Sequence, residues 1–400
     1  MIKELQNSNY KDTIREALLL TSFAGLLFTN QISNYTLNSY LIKAAALVFA
    51  AFIQMYYRAD NQFVDIIKAI NRRNAFIILG ILVIYPVITI LYSVNPVQGL
   101  LKTANMIISV IPLIILLYFL LKTNSRLRKA ILISGAMITG IVFSLIVILF
   151  YPFNHYDAYV FEPGRLSHVM VGRILGLSFL IVLFALKSQH IIYKILLGLI
   201  LVLVGYAGYL TALRASVLGL GLSILIYIIF NFRVRENRRT LGVVIGMVIA
   251  ILLTILLTTE YVSPMPKERF GSFEKLNTGN EDGAVKARYY LYNRAIDMIK
   301  ENPVLGVGYG GFAEKEGNFV VYPHNLVLEV YSEMGIIGGT LILGLIIISL
   351  IKAYKINRNL FIFLVYAFVL AMFSKDLTTN GMLVMGVGVI LRKQRSMNGN

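Results

Sequence analysis

The chain has no cysteine, which removes disulfides, thiolate nucleophiles and cysteine-ligated metal at once. Histidine is nearly as scarce, with only His155, His168, His190 and His324. None of them falls in an HExxH or close carboxylate spacing, which argues against a metal enzyme. Charge is sparse as well. Only 14% of the 400 residues are charged, 58% are hydrophobic and the mean hydropathy is +0.74, so the composition is that of a polytopic membrane protein and length is no guide to domain count. Acidic residues are the scarcer sign, 20 against 37 basic, for a net charge of +17. A nucleic-acid reading of that charge needs a basic face or an aromatic-basic motif on a soluble domain. Here most basic residues fall in short loops between apolar runs, where charge asymmetry across a membrane explains them.

A spanning helix takes about 20 predominantly apolar residues. Candidate spans run near 17–32, 41–57, 75–92, 103–121, 130–151, 169–186, 191–213, 215–232, 241–259, 336–351, 360–374 and 381–391, the last two being short. The polar stretch before the first span has no small-residue cleavage site after it, so that span is expected to be retained rather than removed as a signal peptide. Alternate loops collect Lys3, Lys11 and Arg15, then Arg58 to Arg73, Lys122 to Lys129, Lys187 and Lys194, Arg233 to Arg239, Lys352 to Arg358, and Arg392 to Arg395. By the positive-inside rule that side is cytoplasmic, with both termini inside. The expected fold is all-α: a transmembrane helical bundle of about twelve spans with one long extracytoplasmic helical insert. Residues 1–259 hold the first nine helices and an outer loop at 152–168, residues 260–335 the large outer loop, and residues 336–400 the last three helices and a cytoplasmic tail.

That insert is where chemistry is expected, because it is the one long polar stretch in an apolar chain. Within it, Val285, Arg288, Leu291, Tyr292, Ala295, Ile296 and Ile299 recur at helix spacing and predict a helix over 284–301 that ends at Asn302-Pro303. The run Gly306-Val307-Gly308-Tyr309-Gly310-Gly311 lets a backbone or ligand approach closely, yet no strand precedes it and no Lys-Ser/Thr follows, so a plain turn competes with a phosphate loop. Pro323 suits the first turn of a helix, which would put His324 in that turn near the positive end of the dipole. Asn325, Glu329 and Glu333 follow at steps of four and line one face; a solvated outer helix is the competing account. Two further arginines stand apart from the inner loops. Arg165 lies in the outer loop with Asp157, Glu162 and His168, Arg173 following one turn into the next helix, and Arg214 sits where two apolar helices abut. Turning inward and snorkelling to the surface are both open to Arg214.

Taken together these residues resemble the O-antigen ligase and polysaccharide polymerase superfamily, integral membrane glycosyltransferases that use glycans carried on undecaprenyl diphosphate. His324-Asn325-x-x-Leu328 followed by Glu333-x-Gly335-x-x-Gly338 is similar to the family's most recognisable motif, and Asn302-Pro303-x-x-Gly306-x-Gly308 with Phe312 to the segment leading into it. Arg288 stands where the family usually has Gly-Arg, with Ala287 before it here. Arg214 resembles the arginine that follows a Thr-x-Ser, with Leu213 in the serine's place, and Gly164-Arg165-Leu166-Ser167 resembles an upstream outer-loop arginine motif that lacks its usual Asn-Pro-Asn.

The resemblance implies an active site on the outer face of a bacterial inner membrane, no cofactor and no divalent metal. It implies as partners an undecaprenyl-diphosphate-linked oligosaccharide, an acceptor glycan or glycolipid, membrane lipid, a chain-length regulator and a flippase, and no nucleic acid. A diphosphate donor already carries a good leaving group, so the remaining tasks are to hold pyrophosphate, which suits arginine's bidentate fork, and to deprotonate an acceptor hydroxyl, which suits histidine or a carboxylate. We therefore expect His324, Arg214 and Arg288 to be catalytic, His324 acting on the acceptor and the arginines on the diphosphate. Arg165, Arg269, Asn325, Glu329 and Glu333 are expected to bind substrate, with Glu329 or Glu333 orienting the histidine and Glu329 the rival base. Tyr289, Tyr290 and Tyr292 offer a sugar-stacking surface, although tyrosine is also common at membrane interfaces. Ser374, Asp376 and Asn380 lean toward repeat-unit polymerases over ligases that load lipid A core. A lipid-linked oligosaccharide flippase or other transporter is the alternative of another class, but transporters tend toward two related halves, and this chain is lopsided.

Overall fold

The computed structural model describes residues 70–122, 126–150, 160–161, 166–188, 190–232, 234, 237–258, 283–313, 322–373 and 376–391. Their regular structure is helical apart from a two-residue antiparallel ladder, Val160 opposite Ser167 and Phe161 opposite Leu166. Eight of the helices are long and apolar enough to cross a membrane: Arg72–Ile90, Pro96–Ile115, Lys129–Leu149, His168–Ala185, Ile191–Leu210, Arg214–Phe232, Arg238–Thr258 and Leu326–Ile356. Each corresponds to an expected span. The two short candidates appear as shorter apolar helices, Arg358–Ala371 and Gly381–Leu391. The first two expected spans lie outside the described residues, so the count of twelve is not reached here.

The chain divides into two compact units, Lys129–Gly283 and Ile2–Arg128 with Ala284–Asn400. In the first, His168–Ala185 is the most buried of the long helices and packs against Ile191–Leu210 and Arg214–Phe232, while Ile191–Leu210 also packs on Arg238–Thr258. Small residues let these helices approach, Gly140 facing Ser178 and Val204, and Gly172 facing Thr211 and Leu213. Outward faces remain apolar, with Leu199, Leu218, Ile229, Leu252 and Leu256 exposed as lipid-facing residues would be.

In the second unit the helix Leu326–Ile356 is interrupted at Gly335, whose φ of 61° and ψ of −168° lie in a region that essentially only glycine adopts. Such an interruption frees backbone groups that must find partners if buried. They find them in the segment after Asn302-Pro303: Ile336 N–H donates to the Pro303 carbonyl (2.9 Å), Ile337 N–H to Val304 (3.5 Å), and Val307 N–H to the Ser332 carbonyl (2.9 Å). The Tyr85 hydroxyl donates to the Met334 carbonyl at 3.2 Å. A Cβ at Gly335 would run into the Val304 carbonyl. Gly335→Ala is therefore expected to lose at least about 2 kcal/mol from the strained φ/ψ and the overpacking together. A lower thermal midpoint of the detergent-solubilised protein would register the loss; a wild-type midpoint would mean that the break is not required.

The glycine run is a packed element of this unit rather than a free turn. Gly306, Gly308 and Gly310 all have positive φ. They let the strand of chain press on Glu333 and Gly335 on one side and on Ser93, Thr89 and Gly99 on the other. Val94 N–H donates to the Val307 carbonyl (3.2 Å), Tyr309 N–H to Thr89 Oγ1 (3.2 Å) and the Tyr92 hydroxyl to the Leu305 carbonyl (3.0 Å).

Candidate functional site

The motif helix begins at Leu326, three positions later than a start at Pro323 would place it. Asn325 is its N-cap, in extended conformation, and its side-chain oxygen accepts from Leu328 N–H at 3.1 Å. His324 thus lies ahead of the cap and outside the first turn, and the dipole argument for it loses its geometry. Its φ is 59°, a left-handed conformation in which histidine is enriched over most residues but which still costs energy. Its ring meets Tyr322 edge-on, centroids 4.7 Å apart, and remains partly accessible.

One turn and two turns further along, Glu329 and Glu333 reach a common partner. Lys102, from the helix Pro96–Asn105, places its Nζ 2.8 Å from Glu329 Oε1 and 2.7 Å from Glu333 Oε1. All three are buried to within 1% of full occlusion. The steps of four that align the carboxylates thus serve an internal ion cluster rather than a solvated surface. Glu329 Oε2 accepts from Leu377 N–H at 2.9 Å, while Glu333 Oε2 has no hydrogen-bond partner among the described residues. Removing Lys102 alone would leave two buried carboxylates facing each other, a loss of about 3–5 kcal/mol by analogy with broken buried pairs. The Tyr309 ring of the glycine run covers the ammonium, its centroid 5.4 Å from Nζ.

A polar loop closes the other side of the cluster. Asp376 Oδ1 accepts from Thr379 N–H (2.7 Å), Thr379 Oγ1 (2.7 Å) and Thr378 Oγ1 (3.2 Å). Burial pushes the Asp376 carboxyl above its ordinary range, and these bonds from Thr379 and Thr378 pull it back. Asn105 Nδ2 donates to Thr378 Oγ1 at 2.9 Å, and Ser109 Oγ donates to Asn105 Oδ1 at 2.9 Å, within a π-helical turn over Met106–Val110. Asp376 and Asn380 of the polymerase-like region are thus placed beside the motif helix; Ser374 lies outside the described residues.

The expected amphipathic helix is present as Gly283–Glu301. Leu291 and Ala295 bury against Phe312, with Met298 and with Leu328 of the motif helix, so the helix that carries Arg288 packs beside the first turn after Asn325. Arg294 secures the contact, donating to the Phe312 carbonyl at 2.7 Å with its guanidinium 4.9 Å from that ring. Arg288 is partly exposed, and Tyr289 and Tyr290 point outward at 68% and 59% exposure, available for sugar or membrane interface.

Arg214 belongs to the other unit. Ile191–Leu210 and Arg214–Phe232 are joined by Thr211 to Leu213, with Ala212 in a left-handed conformation (φ 52°), Thr211 Oγ1 donating to the Gly208 carbonyl (2.7 Å) and Ser216 Oγ to Gly172 (2.9 Å). Arg214 is the first residue of its helix, where a cation opposes the dipole at a cost of about 0.3–1 kcal/mol. Helix stability does not account for it there. Arg173 is buried in the interior of His168–Ala185. Arg165 and Arg269 lie outside the described residues, and Val160–Phe161 and Leu166–Ser167 pair on either side of Arg165.

Lys102 escaped sequence reasoning. It reads as one more cation at the end of an apolar run, and its partners stand 227 and 231 residues away. Position hid it too: it falls one residue ahead of the span expected at 103–121, whereas the structure sets it inside Pro96–Ile115, a helix long and apolar enough to cross a membrane, where a charge is costly and functional by default.

The chain has no match among curated proteins. Residues 197–343, a stretch that holds Arg214, Arg269, Arg288, His324, Asn325, Glu329 and Glu333 but neither Arg165 nor Lys102, match the family model described as O-Antigen ligase, and together with the eight apolar helices this match supports the chain as a member of the O-antigen ligase and polysaccharide polymerase superfamily.

Proposed function

We propose that the protein is a membrane glycosyltransferase that moves glycan from an undecaprenyl-diphosphate-linked donor to an acceptor sugar, polymerising repeat units of O-antigen or another surface polysaccharide. The family match over residues 197–343 carries this reading. In it, Arg214 and Arg288 neutralise the departing diphosphate, assisted by Arg165 and Arg269, and His324 takes the proton of the acceptor hydroxyl. Asn325 fixes the start of the motif helix, and Glu329 and Glu333 act from inside the protein. The chemistry proceeds on the outer face, with termini in the cytoplasm, as the basic loops argue.

The description of the matching family favours a second reading within the same chemistry, transfer of finished glycan to lipid A core. A transporter fits less well. The interruption at Gly335 resembles the broken helices of transporters, but those leave their freed backbone groups to a substrate or ion, whereas here Pro303, Val304 and Val307 take them up. The lipid-linked glycan that accumulates in a deletion strain separates these readings. Single repeat units facing outward are expected; full-length chains stranded on undecaprenyl diphosphate would mean ligase, and precursor left facing the cytoplasm would mean flippase and defeat the transferase reading.

A further inference from the structure

We propose that Lys102 is a positioning residue for glycan transfer: through Glu329 and Glu333 it fixes the start of the motif helix, and with it His324 and Asn325, against the loop 376–380. This rests on the transferase reading above. The first support is connectivity. A continuous chain of buried contacts runs from Glu333 to Lys102 (2.7 Å), to Glu329 (2.8 Å) and to Leu377 N–H (2.9 Å). From the same loop Thr378 receives Asn105, which sits one turn beyond Lys102 and holds Ser109 in turn. Three separate segments of the chain are pinned to one another at the base of the motif helix.

The second support is energetic. A buried ion cluster is a poor device for stability alone, since apolar side chains of similar volume hold helices together at least as well. What charges fix better is arrangement. His324 needs such fixing, because a left-handed backbone persists only where its surroundings over-determine it. The Asn325 cap holds it from one side and the Tyr322 ring from the other. Beside the Leu328 packing on the helix Gly283–Glu301, Lys102 is a buried charged contact that anchors this helix start to a different helix. Lys102 itself is fully buried, so its effect passes through the residues it holds.

The test uses purified full-length protein in proteoliposomes, with the lipid-linked glycan that accumulates in the deletion strain as donor. Lys102→Met alone is expected to give little folded protein. The charge-free triple variant, Lys102→Met with Glu329→Gln and Glu333→Gln, is expected to recover folded, inserted protein. It should transfer with kcat reduced about 10²-fold, the loss typical of a misplacement near 1 Å, at an unchanged KM for donor. Wild-type kcat in the triple variant would reduce the cluster to a staple and overturn the proposal. So would a raised KM with kcat intact, which would put Glu329 or Glu333 on the substrate. Should the triple variant fail to insert, Lys102→Arg keeps the charge and changes its reach; a lowered kcat at constant KM supports the proposal, and wild-type kcat overturns it. A wild type that transfers no glycan in this assay would take down the transferase reading itself, a result distinct from either.

Discussion

His324→Ala is expected to leave a folded, inserted protein whose transfer rate falls by about 10² to 10⁴, the usual worth of a positioned general base. An acceptor hydroxyl is too weak an acid to ionise unaided, and a diphosphate leaving group needs no protonation to depart, so the acceptor's proton is the one the protein has to manage. His324 is partly accessible, lies just ahead of the motif helix, and is held in a backbone conformation that costs energy without serving the helix. Wild-type activity should fall as pH drops and the imidazole takes up its proton, because only the neutral ring can accept another. EDTA should leave the rate untouched. Glu329 makes a competing forecast as base, in which Glu329→Gln would be the more damaging change. Its two oxygens are occupied by Lys102 and Leu377 N–H, which favours the histidine. Full activity in purified His324→Ala, or EDTA inactivation reversed by a divalent ion, would remove this mechanism.

Arg214→Ala is expected to abolish transfer, and Arg214→Lys to retain a trace. A lysine restores the charge but not the planar fork that grips two phosphate oxygens at once, so the gap between the two variants measures how far geometry matters beyond neutralisation. Arg288 should behave alike. Protein level must be matched first, since Arg214 begins a spanning helix. Normal transfer by a well-expressed Arg214→Ala protein would return this residue to a snorkelling role at a helix end.

The positions of the spans were legible because membrane thickness sets a length scale that a run of apolar residues either meets or does not; all eight long helices fall on expected runs. The helix Gly283–Glu301 was legible for a related reason, the recurrence of Leu291, Ala295 and Ile299 at helix spacing. The start of the motif helix was not, because Pro323-His324-Asn325 offers two competing signals, proline as first helical residue and asparagine as cap. The cap prevailed: the Asn325 side-chain oxygen takes up the Leu328 N–H, one of the first-turn donors for which a helix has no internal partner. The interruption at Gly335 was hidden for a different reason. A glycine in a long apolar run is ordinarily tolerated inside a helix, and only the arrival of Pro303 and Val304 shows that here the helix gives way. Lys102 was illegible in principle from local pattern, because its meaning lies in carboxylates more than two hundred residues downstream.

The patch that residues 303–307 lay across the interruption at Gly335 bears on how this protein could be re-engineered. Two stretches that look like separate signatures, one running from Asn302 to Phe312 and the other from His324 to Gly338, share their hydrogen bonds and so form a single mechanical part. Grafting either stretch alone from a related enzyme with different sugar specificity would pair a foreign break with a native patch and strand buried carbonyls and amides. A chimera that exchanges both together, and brings the residues facing Lys102 with them, moves the whole part and leaves the surrounding helices undisturbed.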